Sequence, residues 1–233
     1  MTNTGIDGCP LGWLAVTECH GRLSWSLDTT IEGIVEQLPD SGSIFIDIPI
    51  GLSSEGSRDC DIAARTLLAP ARCSSIFPAP LRQLLRCNEY QQANAVSRSL
   101  HGKGLSIQSW NIVPKIRAVD RYLQQQPATQ RRLREAHPEV AFQGIAGRAL
   151  SWSKKDPRGL AERLALLTHN HLQALECYET IVKETKRKDV ARDDIVDAMC
   201  LALMPTGGRQ LYTLPERPRA DTTGLPIEIC YFA

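Results

Sequence analysis

The sequence lacks any long hydrophobic run: no apolar stretch approaches the roughly 20 residues that a membrane span needs. Its first residues also lack the basic and apolar regions of a signal peptide. Neither sign of charge dominates, because 27 Lys and Arg residues stand against 26 Asp and Glu residues. The net charge of +1 excludes a strongly basic shell, so nucleic acid would be contacted only through a local patch. These absences predict a cytoplasmic protein that does not bind membranes.

Aromatic residues and paired cysteines are also scarce. Aromatic side chains make up 6% of the chain and do not alternate with basic ones, which disfavours a dedicated single-strand-binding platform. None of the eight cysteines forms a Cys-x-x-Cys pair, which argues against a zinc knuckle or a thioredoxin-type redox site. With 42% hydrophobic residues and no internal repeat, the chain is typical of one globular domain spanning residues 1–233.

The first third of the sequence predicts an α/β fold. Three strand patterns are joined by short loops that contain glycine, and such loops favour antiparallel hairpins. A helical pattern follows, and then an apolar strand that Pro49 and Gly51 must end. The predicted strands are residues 4–8, 13–19, 23–28 and 43–48, and the predicted helix is 31–38.

The rest of the chain is predicted to be mainly helical. Residues from about 57 to 128 have helical composition interrupted by proline, and we interpret them as a helical insertion. The predicted elements are helices at 58–68, 89–100, 109–126, 159–184 and 193–203, a strand at 133–137, and extended segments at 210–214 and 226–232.

Two aspartates stand at the ends of predicted strands. Asp7 ends the first strand within Gly-Ile-Asp-Gly, where an Asp-Gly turn would also explain it. Asp47 lies among isoleucines, phenylalanine and proline, where an isolated carboxylate is costly to desolvate. Its alternative role is to accept a hydrogen bond from a backbone donor.

The predicted helix near residues 193–203 carries the most informative pattern. Asp194 and Asp197 are three residues apart, so both carboxylates project from one helical face. Asp193 or Asp194 could cap the helix, but Asp197 lies one turn inside an apolar helix. Together with the two strand-end aspartates, they would form an oxygen-ligand cage for Mg²⁺ or Mn²⁺. Two such ions about 4 Å apart can activate water and stabilise the leaving oxygen in phosphodiester cleavage.

A further acidic candidate lies in the segment Arg-Glu-Ala-His-Pro-Glu-Val. We predict a catalytic role for Glu135 rather than Glu139, because Glu135 lies on the predicted strand and Glu139 lies beyond Pro138. The roles of His137 and Glu139 stay open, since a histidine beside proline is often a capping or packing residue.

Several motifs together resemble the domain-of-unknown-function family 429, whose members are predicted to be RNase H-like nucleases. The resemblance runs from about residue 5 to residue 204, through GIDGCPLGW, IDIPIGL, RDCDIAAR, CSSIFPAP, WNIVPKIRAVD, EAHPEV and DDIVDA. It implies a core of three antiparallel strands, a helix, two further strands and a C-terminal helix. It also implies acids on the first strand, the fourth strand and the last helix, here Asp7, Asp47 and the pair Asp194 and Asp197. The helical DxxDA pattern is similar to that of RuvC-type junction resolvases.

Basic residues near these motifs are candidates for substrate binding. A basic run precedes the acidic helix and could hold phosphates, although a solvated helix end explains it equally well. Motif positions within the predicted insertion could also reach a phosphate or form only surface ion pairs. The candidates are Arg58, Arg65, Lys115, Lys183, Lys186, Arg187 and Lys188.

The sequence therefore predicts an RNase H-like mixed α/β fold and a metal-dependent nuclease. The enzyme would use Mg²⁺ or Mn²⁺ in a two-metal mechanism on DNA or RNA, including structured or branched forms. One alternative is a nucleotide-binding phosphotransfer protein of the same core fold, although the chain lacks a glycine-rich phosphate loop. The other is an inactive interaction module. The sequence leaves the oligomeric state open, with a homodimer among the possibilities.

Overall fold

The computed structural model describes residues 2–154 and 156–233. The strands are β1 (Thr2–Gly8), β2 (Trp13–Cys19), β3 (Arg22–Asp28), β4 (Ser43–Ile46), β5 (Leu133–Glu135), β6 (Leu211–Ala220) and β7 (Pro226–Phe232). The helices are α1 (Ile31–Glu36), α2 (Asp59–Leu67), α3 (Tyr90–His101), α4 (Ile107–Gln125), α5 (Pro127–Gln130), α6 (Pro138–Ala146), α7 (Pro157–Asn170), α8 (Ala174–Glu184) and α9 (Arg192–Leu203). None of the helices within the described ranges is both long and apolar enough to cross a membrane.

Five strands form the central sheet, in the order β3–β2–β1–β4–β5. The first three strands are antiparallel neighbours, whereas β4 and β5 run parallel to β1. The parallel register places Gly5 beside Phe45 and Ile46 beside Glu135. The predicted mixed sheet flanked by helices is confirmed, and it is consistent with the RNase H-like fold.

Alternate residues of the central strands enter two separate cores. Phe45 of β4 packs on one face with α6, α7, α8 and α9. Its neighbours Ile44 and Ile46 pack on the other face with α1 and α4. Because successive strand side chains point to opposite faces, the register of a strand residue decides which layer of helices it meets.

Helix α9 lies unusually close to β1. A β-carbon added to Gly5 would lie 2.5 Å from the backbone nitrogen of Ala202 and would also collide with the carbonyl of Ala198. Only a residue without a side chain allows this approach, and α9 therefore packs directly over the strand that carries Asp7.

Strands β6 and β7 form a separate antiparallel hairpin at the end of the chain. The hairpin reaches β5 through a bridge between Ala136 and Cys230 and through an ion pair of 2.8 Å between Arg134 and Glu228. The predicted extended segments at 210–214 and 226–232 are thus strands that support the edge of the central sheet.

Two predicted elements differ from the structure. The helix predicted at 159–184 is two helices, α7 and α8, because the backbone of His171 is extended (φ −151°, ψ 122°). The strand predicted at 133–137 ends at Glu135, since His137 caps a helix that starts at Pro138. Helices α2, α3 and α4 lie between β4 and β5, and the interpretation of residues 57–128 as an insertion within a single domain stays a prediction.

Candidate metal centre

Two carboxylates come from adjacent parallel strands. Asp7 is the next-to-last residue of β1, and Asp47 directly follows β4. The backbone N–H of Asp47 donates to the carbonyl of Ile6 at 3.0 Å, so the two strands are still paired at this point. By the alternation of strand side chains, both aspartates share the face of Gly5 and Phe45, on which α9 packs.

Helix α9 supplies the third carboxylate. Asp7, Asp47 and Asp197 each offer one oxygen, and these three oxygens lie within 4.8 Å of one another. The close contact between Gly5 and α9 makes this distance attainable. The structure thus brings together three of the four residues that the sequence analysis selected as metal ligands, and we call these three residues the aspartate triad.

Burial and mutual repulsion disfavour the charged forms of the triad. Only 8% of Asp7 and 2% of Asp197 are exposed. Burial, followed by the charges of Asp47, Asp197 and Asp194, raises the pKa of Asp7 well above its usual value. Burial raises the pKa of Asp47 to about 6, although Lys154 acts in the opposite direction, and burial also raises the pKa of Asp197. A cation in the triad would remove this electrostatic cost.

The fourth selected residue, Asp194, lies outside the triad. Its Oδ2 accepts a hydrogen bond of 2.9 Å from the backbone N–H of Ala191, which is the capping role that the sequence left open. Burial raises the pKa of Asp194 to about 6. Its charge still reaches the centre, since it contributes to the raised pKa of Asp7.

Lys154, which the sequence analysis did not select, supplies a positive charge at the triad. Its Nζ lies 3.0 Å from Oδ2 of Asp197 and 3.8 Å from Oδ2 of Asp193. The charge of Asp197 is the largest of the effects that raise the pKa of Lys154. The residue comes from the loop between α6 and α7, and no periodic pattern in the sequence marks that loop as part of the site.

The rest of this loop is held in place by two residues of α7. The carboxylate of Glu162 accepts the backbone N–H groups of Ser151 and Trp152, each at 3.0 Å. Arg163 donates to the carbonyl of Trp152 at 3.0 Å. These contacts hold the backbone at Trp152, two residues before Lys154, and so restrict where Lys154 can lie.

Glu135 lies outside the triad, and its catalytic role stays a prediction. Glu135 is the parallel neighbour of Ile46, so its side chain points to the face opposite Asp47. Arg58 clamps it with two hydrogen bonds of 2.7 and 2.8 Å, and the N–H of Ile50 donates a third at 2.6 Å. Glu135 is therefore part of a buried ion pair and does not join the triad.

Glu139 is the acid that stands beside the triad instead. It lies in the first turn of α6, and its charge raises the pKa of both Asp47 and Asp197. One carboxylate oxygen pairs with Arg163, whereas the other, Oε2, is buried without a hydrogen-bond partner among the described residues. The sequence predicted Glu139 to lie beyond the end of a strand. In the structure it lies in the first turn of the helix that starts at Pro138, and this helix brings it to the triad.

His137 caps α6. Its Nδ1 accepts the backbone N–H of Glu139 at 3.2 Å. Burial lowers the pKa of His137 to about 4, so the ring is neutral at pH 7. This packing and capping role answers the question that the sequence left open.

The two arginines proposed for substrate binding differ in exposure. Arg58 is 3% exposed, and its guanidinium is shared between Glu135 and Asp61. Arg58 thus takes part in a buried ion-pair network, and its role in substrate binding stays a prediction. The guanidinium of Arg65, a more exposed residue, donates to the carbonyl of Ile76 at 2.7 Å.

The proposed lysines lie in two different places. Lys115 of α4 lies over the ring of Trp13, with Nζ 4.4 Å from its centroid, and hydrogen-bonds the carbonyl of Gly12. The basic run is exposed and leads to a turn whose Asp189 carbonyl accepts the N–H of Leu11, beside the loop that follows Asp7. The residues of this run are Lys183, Lys186, Arg187 and Lys188.

Comparisons with known proteins give one match. The sequence model of a family described as a protein of unknown function, DUF429, matches residues 5–218. No curated protein and no solved structure matches the chain.

Proposed function

This chain belongs to the DUF429 family, whose description gives no function, and from its own acidic site we propose that it is a divalent-metal-dependent nuclease. The observation that carries the proposal is the aspartate triad, in which three carboxylate oxygens from two strand ends and one helix lie within 4.8 Å of one another. Such a buried set of oxygen atoms matches the coordination that Mg²⁺ and Mn²⁺ prefer.

The residues around the triad fit a metal ion. Each triad carboxylate has a raised pKa because it is buried near other acids, and a cation would offset that repulsion. The unpartnered Oε2 of Glu139 is a further oxygen that a metal or a metal-bound water could satisfy. Lys154 at Asp197 shows that a positive charge is accommodated at this point.

The proposed reaction is hydrolysis of a phosphodiester bond. When bound, the metal would supply Lewis acidity that activates water and stabilises the leaving oxygen. If two ions bind, they would share these two roles. A water oxygen adds to phosphorus, the bond from phosphorus to one ribose oxygen breaks, and that oxygen takes up a proton. The triad carboxylates would hold the metal ion. Lys154 pairs with Asp197, and it would donate to a phosphate oxygen only after the metal replaces it there.

The substrate class that we propose is nucleic acid, either DNA or RNA, in a cytoplasmic setting. The exposed basic run at Lys183, Lys186, Arg187 and Lys188 could contact phosphates outside the centre. It leads to Asp189, whose carbonyl accepts the N–H of Leu11 in the loop that follows Asp7.

A cleavage assay tests the proposed function. Duplex, hybrid, single-stranded and branched substrates are incubated with the protein in Mn²⁺, Mg²⁺ or chelator. We expect metal-dependent cleavage that Asp7→Asn lowers by at least roughly 100-fold, because loss of a direct ligand should cost at least as much as loss of an outer-shell partner. Asp40→Asn is the matched control, since Asp40 is an exposed aspartate that does not belong to the triad.

The assay also separates the alternatives. Intact nucleic acids together with metal-dependent hydrolysis of a nucleoside triphosphate would replace the nuclease with a phosphotransfer protein. Failure to bind either nucleic acid or nucleotide would leave the inactive interaction module.

A further inference from the structure

A cavity of about 540 Å³ adjoins the aspartate triad. Its buried lining includes Asp7, Asp197 and Glu139, whereas its exposed lining comes from three segments: the stretch after α2, the first turns of α4 and the α6–α7 loop. The exposed residues are Ser74, Phe77, Asn111, Ser153 and Lys154. The triad and these three exposed segments therefore line one pocket.

Each of the lysines and arginines that line this pocket is bound to another group of the protein. Arg58 is held by two carboxylates, and Lys115 is bound to the carbonyl of Gly12. Arg72 donates through Nε to the carbonyl of Leu150 at 3.2 Å, and Lys154 pairs with Asp197. Apart from the terminal nitrogens of Arg72, the basic groups of the described lining are bound to protein partners, which differs from a row of free basic side chains that follows several phosphates of a continuous strand.

One wall of the pocket is apolar instead. Ile76 and Phe77 contribute from the stretch after α2, and Ile112 contributes from α4. Phe77 is 49% exposed, which leaves its ring accessible. An accessible ring beside hydroxyl and amide groups from Ser74 and Asn111 is suited to a nucleobase, which stacks on aromatic faces and hydrogen-bonds along its edge.

We infer that the pocket admits one nucleotide, the last of a strand, with its base against Phe77 and its phosphodiester at the triad. This inference rests on the proposed nuclease function and names its substrate class. The cavity volume of about 540 Å³ falls within the range of about 300–1,000 Å³ that encloses ligands of small-molecule size, such as one nucleotide. A pocket that holds one nucleotide favours the end of a strand over an internal position.

The reaction at this site releases one nucleotide at a time. Water adds to the phosphorus of the last phosphodiester, the bond from phosphorus to one ribose oxygen breaks, and the freed oxygen takes up a proton. The products are a mononucleotide and a strand shorter by one residue.

Linear and covalently closed single strands of the same sequence test the inference. Both forms are made in DNA and in RNA and are incubated with the full chain and Mn²⁺, and the products are separated by length. We expect mononucleotides from the linear strands and no cleavage of the circles. Cutting of the circles at rates similar to those of the linear strands would overturn the inference while leaving the nuclease in place. If all these strands and the duplex, hybrid and branched substrates stay intact, the proposed function itself fails.

A pair of variants tests the role of Phe77. Phe77→Ala should raise KM for the linear strand roughly 5- to 150-fold, the loss expected when one base loses an aromatic stacking partner. Its kcat should change little, because the ring does not touch the reacting atoms. Ile107→Ala is the control, since Ile107 is similarly exposed at 54% but does not line the pocket. Equal KM values for the two variants would contradict the inference.

Discussion

At the scale of single residues, the electrostatic cost of the aspartate triad comes from burial of its carboxylates and from repulsion between them. Asp7, Asp47 and Asp197 have raised pKa values because burial and neighbouring acids oppose ionisation, and Lys154 offsets only part of that cost. A site that is electrostatically unfavourable when empty gains the most from a bound cation. Stability and metal binding should therefore respond in opposite directions when one charge is removed.

Asp47→Asn should stabilise the metal-free protein and abolish metal binding. The amide keeps the shape of the side chain but removes a charge whose ionisation is opposed by burial, so we expect a gain of roughly 1–2 kcal/mol in the free energy of unfolding at pH 8. Urea denaturation in chelator measures it, with Asp40→Asn as the control. A clearly less stable variant would show that Asp47 is instead a structural, hydrogen-bonded residue.

The raised pKa of Asp47 also predicts how the stability difference between Asp47→Asn and wild type depends on pH. Asp47 has a pKa of about 6 in the folded protein and about 3.9 when unfolded. The folded state therefore binds the proton of Asp47 more tightly than the unfolded state does. The contribution of this proton to the stability of the wild-type protein is lost as pH rises through 6. The difference between Asp47→Asn and wild type should be near zero at pH 3.5, grow between pH 4 and 6, and level off above 7. A difference that is constant across this range would contradict the raised pKa.

Lys154→Met should destabilise the metal-free protein and strengthen Mn²⁺ binding. The substitution leaves Asp197 without its cation, at a cost of about 1–2 kcal/mol, which is less than for a fully buried pair because 46% of the Lys154 side chain is exposed. It also removes a positive charge that competes with the metal, so Mn²⁺ affinity should rise roughly tenfold. Melting curves and calorimetric titration measure the two effects, with Lys186→Met as the control. Weaker Mn²⁺ binding would show that Lys154 supports the metal rather than competes with it.

At the scale of elements, the contact between β1 and α9 assembles the site. Gly5 lies two residues before Asp7, and Ala198 lies next to Asp197, so the contact between helix and strand is immediately beside the triad. The distance between the carboxylates from β1 and α9 is therefore set by a glycine that carries no chemistry of its own.

Gly5→Ala should damage both stability and the metal site. The added methyl group meets backbone atoms of α9 that cannot rotate away, so the helix must shift, at a cost of roughly 1–3 kcal/mol or more. Urea denaturation and Mn²⁺ titration are the measurements. Gly21→Ala is the comparison, since Gly21 has a positive φ of 79° but has no atom within 4 Å of the added carbon. A Gly5→Ala protein that binds Mn²⁺ as well as wild type does would contradict this assembly.

Elements with strong local patterns were the ones that the sequence predicted well. Strand β2 contains the apolar run Trp-Leu-Ala-Val, and helix α9 repeats apolar residues at helical spacing. The break between α7 and α8 was missed because no glycine or proline marks it. Such a break depends on tertiary packing, which local periodicity does not record.

Predictions for the acidic residues were limited in the same way, because local patterns do not record tertiary contacts. Strand-end and helix positions identified Asp7, Asp47 and Asp197, but only the sheet register shows that Glu135 points to the opposite face. Lys154 could not be predicted, because its position depends on a loop held by Glu162 and Arg163 of the following helix. Contacts between segments far apart in the chain decided both outcomes.

At the scale of the whole molecule, the hairpin of β6 and β7 contacts segments from both halves of the chain. Asp221, which follows β6, accepts the backbone N–H of Leu52 at 2.8 Å and pairs with Arg82. Ile229 of β7 lies in the wall of the pocket. The hairpin thus joins the segment after β4, the helical region before α3 and the pocket itself, so that the site depends on residues from both halves of the chain.

A crystal soaked in Mn²⁺ and measured at the manganese absorption edge tests the central claim most directly. The account predicts an anomalous peak coordinated by Asp7, Asp47 and Asp197, with Nζ of Lys154 withdrawn from Asp197. Crystals of Asp47→Asn should lack the peak, and crystals of Asp40→Asn should retain it. A fully soaked wild-type crystal with no peak at the triad and with Lys154 still bound to Asp197 would contradict the account.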